Sequence, residues 1–110
     1  MDDQEFRRNA DAAIEALKQS LLRAEDSAEI EVEENAGALK VNFEAPPATF
    51  VISPNSAVRQ IWISALATSF KLDWSSEKNA FVLAKTGEDL KALVARLINQ
   101  QLGEEAVTLA

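Results

Sequence analysis

Apolar residues recur at spacings of three and four near both ends of the chain, and at every second position in between. Within residues 4–23, the apolar positions form one stripe on a helical surface, made of Phe6, Ala10, Ala13, Ile14, Leu17 and Leu21. Such a stripe predicts an amphipathic helix. Asp2 and Asp3 lie where a carboxylate can cap the first turn or complement the helix dipole.

A second helical stripe lies near the other end of the chain. Its apolar positions are Leu90, Leu93, Val94, Leu97 and Ile98. The preceding stretch TGED predicts the start of this helix, with Thr86 as its N-cap and Asp89 at the third helical position. Gly103 is the predicted C-cap, and Val107 and Leu109 in the tail are expected to dock along the helix pair.

The middle of the chain alternates apolar and polar residues with a period of two. EIEVEE and ALKVNFE, separated by the turn NAG, predict a hairpin with one buried face and one solvated face. APPA interrupts the pattern, because proline has no N–H to donate to a sheet. TFVIS, VRQIWIS, FKLDW and AFVLA then predict four more strands. We therefore predict an α+β, two-layer sandwich in a single domain over residues 1–110, with both helices on one face of an antiparallel sheet of about six strands.

The predicted strand VRQIWIS places a tryptophan in an unexpected position. If its two isoleucines point into the core, Gln60 and Trp62 lie on the face that meets solvent. Tryptophan is over-represented at interface hot spots, so both residues are candidates for contact with a partner. Alternatively, Trp62 packs within its own sheet against neighbours such as Val58. Trp74 shares its strand face with apolar residues and is predicted to lie in the core.

The stretch EDSAEIEVEE carries the densest negative charge in the chain. Its acidic residues are Glu25, Asp26, Glu29, Glu31, Glu33 and Glu34. Strand spacing puts Glu29, Glu31 and Glu33 in a row on one face, and like charges at that spacing repel one another. A hard cation or a basic partner would relieve this repulsion. The alternative is a charged edge strand that keeps the protein soluble and unaggregated.

Composition excludes several classes of function. The 110 residues contain neither Cys nor His and have a net charge of −7. Disulfides, thiolate or imidazole metal sites and imidazole-dependent triads are therefore excluded, and any metal must be held by oxygen ligands. The charge disfavours nucleic acid and anionic membranes as partners. The acidic N-terminal stretch resembles neither a signal nor a transit peptide, and we expect a cytoplasmic protein.

Several motifs, taken in order, resemble the frataxin family. They are the opening EFRRNAD, the acidic first strand, NAG, L-x-V-x-F-E, QIWIS, LDW and the helix start TGEDLKALV. The opening is similar to that of bacterial frataxins of the CyaY type. The resemblance implies a non-enzymatic regulator of iron–sulfur cluster assembly that binds ferrous or ferric iron weakly, with other divalent cations able to compete.

The resemblance also implies which residues meet metal and partners. An acidic ridge of Glu25, Asp26, Glu29, Glu31 and Glu33 would bind iron. Docking on the cysteine desulfurase and the iron–sulfur scaffold protein would use Glu29, Glu31 and Glu33 with Gln60 and Trp62. The end of the first helix, KQSLLRAED, is less acidic than in bacterial relatives, so we expect a reduced iron capacity and a docking surface shifted toward the first strand.

Two other functions remain open at this point. A small acidic secretion-type chaperone would bind an extended protein segment, but such chaperones are dimers, whereas we expect a monomer. A ferroxidase would need a site that changes the redox rate of iron. No glycine-rich phosphate loop or activated nucleophile motif indicates any other enzyme.

Overall fold

The computed structural model describes residues 1–44 and 46–109. Its elements, in chain order, are α1 (Asp3–Ala24), β1 (Ile30–Asn35), β2 (Ala38–Glu44), β3 (Pro47–Asn55), β4 (Gln60–Ala65), β5 (Thr68–Ser75), β6 (Ala80–Val82) and α2 (Leu90–Leu102). The predicted order of one helix, about six strands and a second helix is confirmed. Ala45, the first residue of the predicted proline-containing break, and Ala110 lie outside the described residues.

The strands form one antiparallel sheet in the order β1-β2-β3-β4-β5-β6, so each strand pairs with its neighbour in sequence. Leu39, Val41 and Phe43 of β2 are buried beneath the helices and alternate with more exposed residues. Buried side chains of α1, α2 and the sheet belong to a single core cluster. The two-layer sandwich is therefore confirmed. In the described part of the chain no element covers the opposite sheet face, which we call the open face.

Aromatic side chains fill one end of the core. Phe6 of α1 meets Phe81 of β6 edge to face, with ring centroids 5.8 Å apart. Trp74 packs against the same Phe81 ring at 5.1 Å. Trp74 is half-buried and packed against the core cluster, so its predicted place is confirmed at the margin of the core.

The start of α2 differs from the prediction. The N-cap is Asp89, whose carboxylate accepts a hydrogen bond from the Ala92 N–H at 2.9 Å. The prediction of Thr86 as N-cap was wrong, because residues 86–88 belong to a loop. The Leu83 N–H donates a hydrogen bond to the Glu88 carbonyl at 2.8 Å and so closes this loop. Gly87 in this loop has a φ of +79°, which is incompatible with a continuing helix.

The other predicted helix ends and the tail are confirmed. The Asp2 carboxylate caps α1 by accepting from the Glu5 N–H at 2.8 Å, and Gly103 ends α2 in the left-handed conformation. The tail turns back onto α2, where the Asn99 side-chain oxygen accepts from the N–H groups of both Ala106 and Val107 at 3.0 Å. Val107 is buried, and Leu109 packs against the core cluster.

Two hairpins have tight turns of the same length but different composition. Ala36 and Gly37 join β1 to β2 with φ values of 53° and 83°. Leu66 and Ala67 join β4 to β5 with φ values of 53° and 59°. Left-handed conformation at both central residues gives the turn a twist that matches the strands, and it is unfavourable for residues with a Cβ.

Candidate functional site on the open face

Trp62 lies on the open face, as its strand pattern predicts. Its neighbours Ile61 and Ile63 are 0% and 1% exposed and point into the core. Trp62 itself is half-buried, with Ser53 of β3 opposite on one side and Lys71 of β5 on the other.

The tryptophan is anchored by polar neighbours on its own sheet. Its indole Nε1–H donates to the Gln60 side-chain oxygen at 2.8 Å, and the Gln60 Nε2 donates to the Asp73 carboxylate at 2.9 Å. The Lys71 ammonium lies 4.9 Å from the centre of the Trp62 ring, a cation–π contact. Val58, the neighbour considered from the sequence, is 52% exposed in the loop before β4. In-sheet packing of Trp62 therefore runs through Gln60 and Lys71.

Glu31 and Glu33 form part of the predicted acidic row on the open face. In the register of the hairpin, Glu31 stands opposite Asn42 and Glu33 stands opposite Lys40. Both side chains are exposed, as is Glu29 just before the strand. We call Glu29, Glu31 and Glu33 the acidic row.

Glu34 lies on the opposite face of β1 and does not belong to the acidic row. Its carboxylate pairs with the Lys18 ammonium of α1 at 3.2 Å. This ion pair ties the less acidic end of α1 to the edge strand. The sequence difference at KQSLLRAED therefore has a structural role, since Lys18 neutralises one carboxylate of the acidic stretch.

Glu25 and Asp26 lie apart from the acidic row. Glu25 ends α1, and its carboxylate accepts a hydrogen bond from the Val32 N–H at 2.7 Å. β1 is the edge strand of the sheet, so this bond occupies a donor that would otherwise be available to another strand. Asp26 is exposed in the turn after α1. The structure thus brings three of the predicted metal ligands onto one face and gives Glu25 a different contact.

Sequence reasoning missed Glu44 as a member of this site. A shallow depression of about 460 Å³ is lined by Glu29, Ile30, Glu31, Asn42 and Glu44. The alternation of ALKVNFE already puts Glu44 on the solvated face, so the signal was present. Within the described part of the chain, however, no three acidic side chains lie close enough together to hold one metal ion.

Trp62 and the acidic row occupy the same face at different places. Across the sheet from Glu33, the successive register partners on β2, β3 and β4 are Lys40, Val51 and Ser64. Ser64 is two residues from Trp62 along β4. Three inter-strand spacings separate β1 from β4, a distance of about 14 Å. One flat partner surface can span both features.

Comparison with known proteins assigns the chain to a family. The family model described as a frataxin-like domain matches residues 1–104. The chain belongs to the frataxin family. The family resemblance seen in its motifs is therefore confirmed.

Individual relatives support the same assignment. The iron-sulfur cluster assembly protein CyaY of Pseudomonas fluorescens (strain Pf0-1) is 31% identical over 77 residues, which cover 70% of this chain and 69% of that protein. The protein of the same name from Pseudomonas putida (strain GB-1) is 29% identical over 94 residues, or 84% of each chain. The solved structure of frataxin from Psychromonas ingrahamii superposes with a TM-score of 0.83 at 19% identity, covering 100% of this chain and 99% of that one. The likeness to that structure establishes the frataxin fold.

Neither α1 nor α2, the helices of the described residues, combines the length and the apolar character needed to cross a bilayer.

Proposed function

We propose that this protein acts in iron–sulfur cluster assembly in the cytoplasm, as an iron-binding regulator that is not itself an enzyme. In this proposal it docks on the complex of the cysteine desulfurase and the scaffold protein. Membership of the frataxin family and relatives named iron-sulfur cluster assembly protein support the general role. The observation that carries the docking mode is the presence of Trp62 and the acidic row on one uncovered sheet face.

Trp62 suits a hot spot because its ring is already held in place. The bond to Gln60 and the contact with Lys71 restrict its rotamers before any partner arrives. A rigid aromatic side chain offers a large contact area at a small cost in conformational entropy. The proposed partner would bury the part of the ring that the sheet leaves accessible.

The acidic row suits a basic patch on the partner. Glu29, Glu31 and Glu33 are exposed, and Lys40 is the cross-strand partner of Glu33. Exposed charges of this kind act mainly on the association rate, and they disfavour acidic partners. The net charge of −7 adds a negative electrostatic potential around the whole molecule, which also attracts a basic partner.

Iron binding would be weak and unselective. Glu31 and Glu33 are two residues apart on one strand, a separation of about 7 Å, so a bound cation would keep much of its hydration shell. Weak binding also agrees with the placement of the other acidic side chains, because no three of those described lie close enough together to hold one metal ion. Hard cations such as Fe³⁺, Mn²⁺ and Ca²⁺ would compete for the same oxygen ligands.

The docking mode is tested by replacing Trp62. We expect Trp62→Ala to bind the desulfurase–scaffold complex about thirtyfold more weakly or worse, the loss typical of a hot spot. Its free energy of unfolding should fall by only about 1 to 2 kcal/mol, for one hydrogen bond and a cross-strand contact. Binding titrations and urea melts measure the two effects separately.

Trp74→Ala is the matched control, because it removes the same ring from the side that faces the core. It should lower the free energy of unfolding by about 3 kcal/mol through loss of packing against Phe81. Its affinity, corrected for the folded fraction, should stay close to that of the native protein. If Trp62→Ala lost stability but kept full affinity, the ring would have a purely structural role and the proposed docking mode would be wrong.

The metal site is tested by NMR titration with Fe³⁺ and Mn²⁺. We expect paramagnetic line broadening on β1 and on the adjacent end of β2, around the depression that Glu44 also lines. The triple variant Glu29→Gln, Glu31→Gln, Glu33→Gln should lose this broadening, because amide oxygens bind hard cations far more weakly than carboxylates do.

The control for the metal experiment is Glu34→Gln. It removes one carboxylate from the same strand but from the face that pairs with Lys18. Broadening on the open face should persist in this variant. Persistence of the broadening in the triple variant would instead place the metal elsewhere and contradict the assignment.

A further inference from the structure

Chemistry fixes the orientation of the Gln60 amide. An indole N–H can only donate a hydrogen bond, and an ionised carboxylate can only accept one. The Gln60 oxygen therefore faces Trp62 and its nitrogen faces Asp73, with donor–acceptor distances of 2.8 and 2.9 Å. Asp73 and Trp62 thus act on the amide from opposite ends and select the same orientation.

The register of the sheet explains why Asp73 is in reach. Gln60 and Asp73 are cross-strand partners, and Trp62 and Lys71 form the next pair on the same face. These two pairs are neighbours on one face of β4 and β5. β5 therefore supports the tryptophan in two ways: its Asp73 accepts a hydrogen bond from the Gln60 amide of β4, and its Lys71 ammonium lies above the ring. Neither contact needs a partner protein to form.

We propose that Asp73 is a positioning residue of the docking face, which holds Trp62 through Gln60 in the orientation that a partner binds. The inference rests on the proposed function and adds a residue to its mechanism. Because the indole N–H is already bonded within the sheet, the partner is recognised by the apolar surface of the ring. Asp73 itself need not touch the partner.

The size of the effect follows from the cost of ordering side chains on binding. Immobilising a mobile side chain in an interface costs about 0.5 to 1.5 kcal/mol, which corresponds to an affinity change of about two- to twelvefold. Without Asp73, the Gln60 amide can rotate away from Trp62, and the added cost on binding is about that of ordering one side chain, because Lys71 still contacts the ring. We therefore expect Asp73→Ala to weaken binding of the desulfurase–scaffold complex by about three- to tenfold.

The test combines that affinity with a readout that needs no partner. The chain has two tryptophans, so its NMR spectrum contains two indole N–H signals, which the variant Trp74→Phe assigns. In Asp73→Ala the Trp62 indole signal should shift, and its exchange with water should accelerate several-fold. Asp73→Asn keeps a side-chain oxygen that accepts from Gln60, so it should restore most of the protection and an affinity within about twofold of the native value.

Glu77→Ala is the charge-matched control, since it removes an exposed carboxylate from the turn between β5 and β6. It should leave both the indole signal and the affinity unchanged. An unaltered Trp62 signal in Asp73→Ala would overturn the positioning role, as would an affinity loss equal to that of Glu77→Ala. If Trp62→Ala itself bound normally, the proposed docking mode would fail, while the indole signal would still decide whether Asp73 orders the ring.

Discussion

Glu88 is a half-buried side chain that three hydrogen bonds hold in place. Its carboxylate receives the Arg96 Nε and Nη2 groups at 2.8 and 2.9 Å, and also the Thr86 hydroxyl at 2.9 Å. The hydrogen bonds from Arg96 lower the pKa of Glu88 below its ordinary value of 4.5, and they outweigh partial burial, which raises it. The same bonds raise the pKa of Arg96. The result is a two-pronged ion pair that fastens the loop before α2 to the helix itself.

We expect Glu88→Gln to lower the free energy of unfolding at pH 7 by up to about 1 kcal/mol, the range for surface ion pairs. Because the pKa of Glu88 is lower in the folded protein than in the unfolded chain, the ionised carboxylate stabilises the fold at pH values above its pKa in the unfolded chain. That contribution is lost as the pH falls through the folded pKa. Urea melts of both proteins at several pH values should therefore differ at pH 7 and converge in acid. A difference that is independent of pH, or equal to that of Glu77→Gln, would contradict this account.

At the scale of the elements, the two tight hairpins share one turn geometry but differ in how well their turn residues suit it. Both require left-handed conformation at two central residues, but Leu66–Ala67 contains no glycine, whereas Ala36–Gly37 does. A residue with a Cβ in that conformation costs roughly 1 kcal/mol or more. The β4–β5 hairpin, which carries Trp62 and Asp73, therefore forms despite its turn residues, and strand pairing and core packing must compensate.

The double variant Leu66→Asn, Ala67→Gly should raise the free energy of unfolding by about 1 kcal/mol, because Asn and Gly adopt this turn readily. The gain is limited by the greater freedom that glycine has in the unfolded chain. Gly37→Ala is the opposite test, since a Cβ there meets no atom within 4 Å and any loss comes from the backbone alone. Urea melts should move in opposite directions for the two variants. No gain in the double variant would mean that the turn is not strained.

At the scale of the whole molecule, the acidic row and Trp62 lie at different places on the open face. The helices cover one face of the sheet with a single core, and the open face carries the acidic row at one edge and Trp62 nearer the other. The exposed carboxylates can attract a basic partner from a distance, whereas the Trp62 ring can contact it only after the two surfaces meet. For the proposed docking, this arrangement predicts that salt affects the association rate more than the lifetime of the complex.

We expect Glu31→Lys with Glu33→Lys to slow association with the desulfurase–scaffold complex, and most strongly at low salt. Exposed charges are screened beyond about 8 Å at physiological ionic strength, so the difference should shrink as salt is added. Glu104→Lys with Glu105→Lys changes the net charge equally, but just beyond α2 in the helical layer, and should have a smaller effect. Stopped-flow association rates measure this directly. Equal effects of the two pairs would mean that only net charge matters.

The local pattern of apolar and polar residues was sufficient to predict the helices and strands and the face on which their residues lie. A strand alternates with a period of two and a helix with about 3.6, and both periods can be counted without knowledge of distant residues. The chain order, the capping role of Asp2 and the C-cap at Gly103 follow from such local rules. So does the exposure of Trp62, because two buried isoleucines flank it. Family membership was also readable, since the motifs keep their order along the chain.

Contacts between residues distant in sequence could not be read in this way. Alternation assigns a face, but it does not say which residues stand opposite one another, because register depends on the loops and on packing of the whole sheet. The bond of Asp73 to Gln60, the pairing of Lys18 with Glu34, and the Glu25 bond to the edge strand all depend on that register or on the path of a loop. The start of α2 is a similar case. Thr86 and Asp89 are both good N-cap residues, and the tertiary bond between Leu83 and Glu88 selects Asp89 by fixing the loop in front of it.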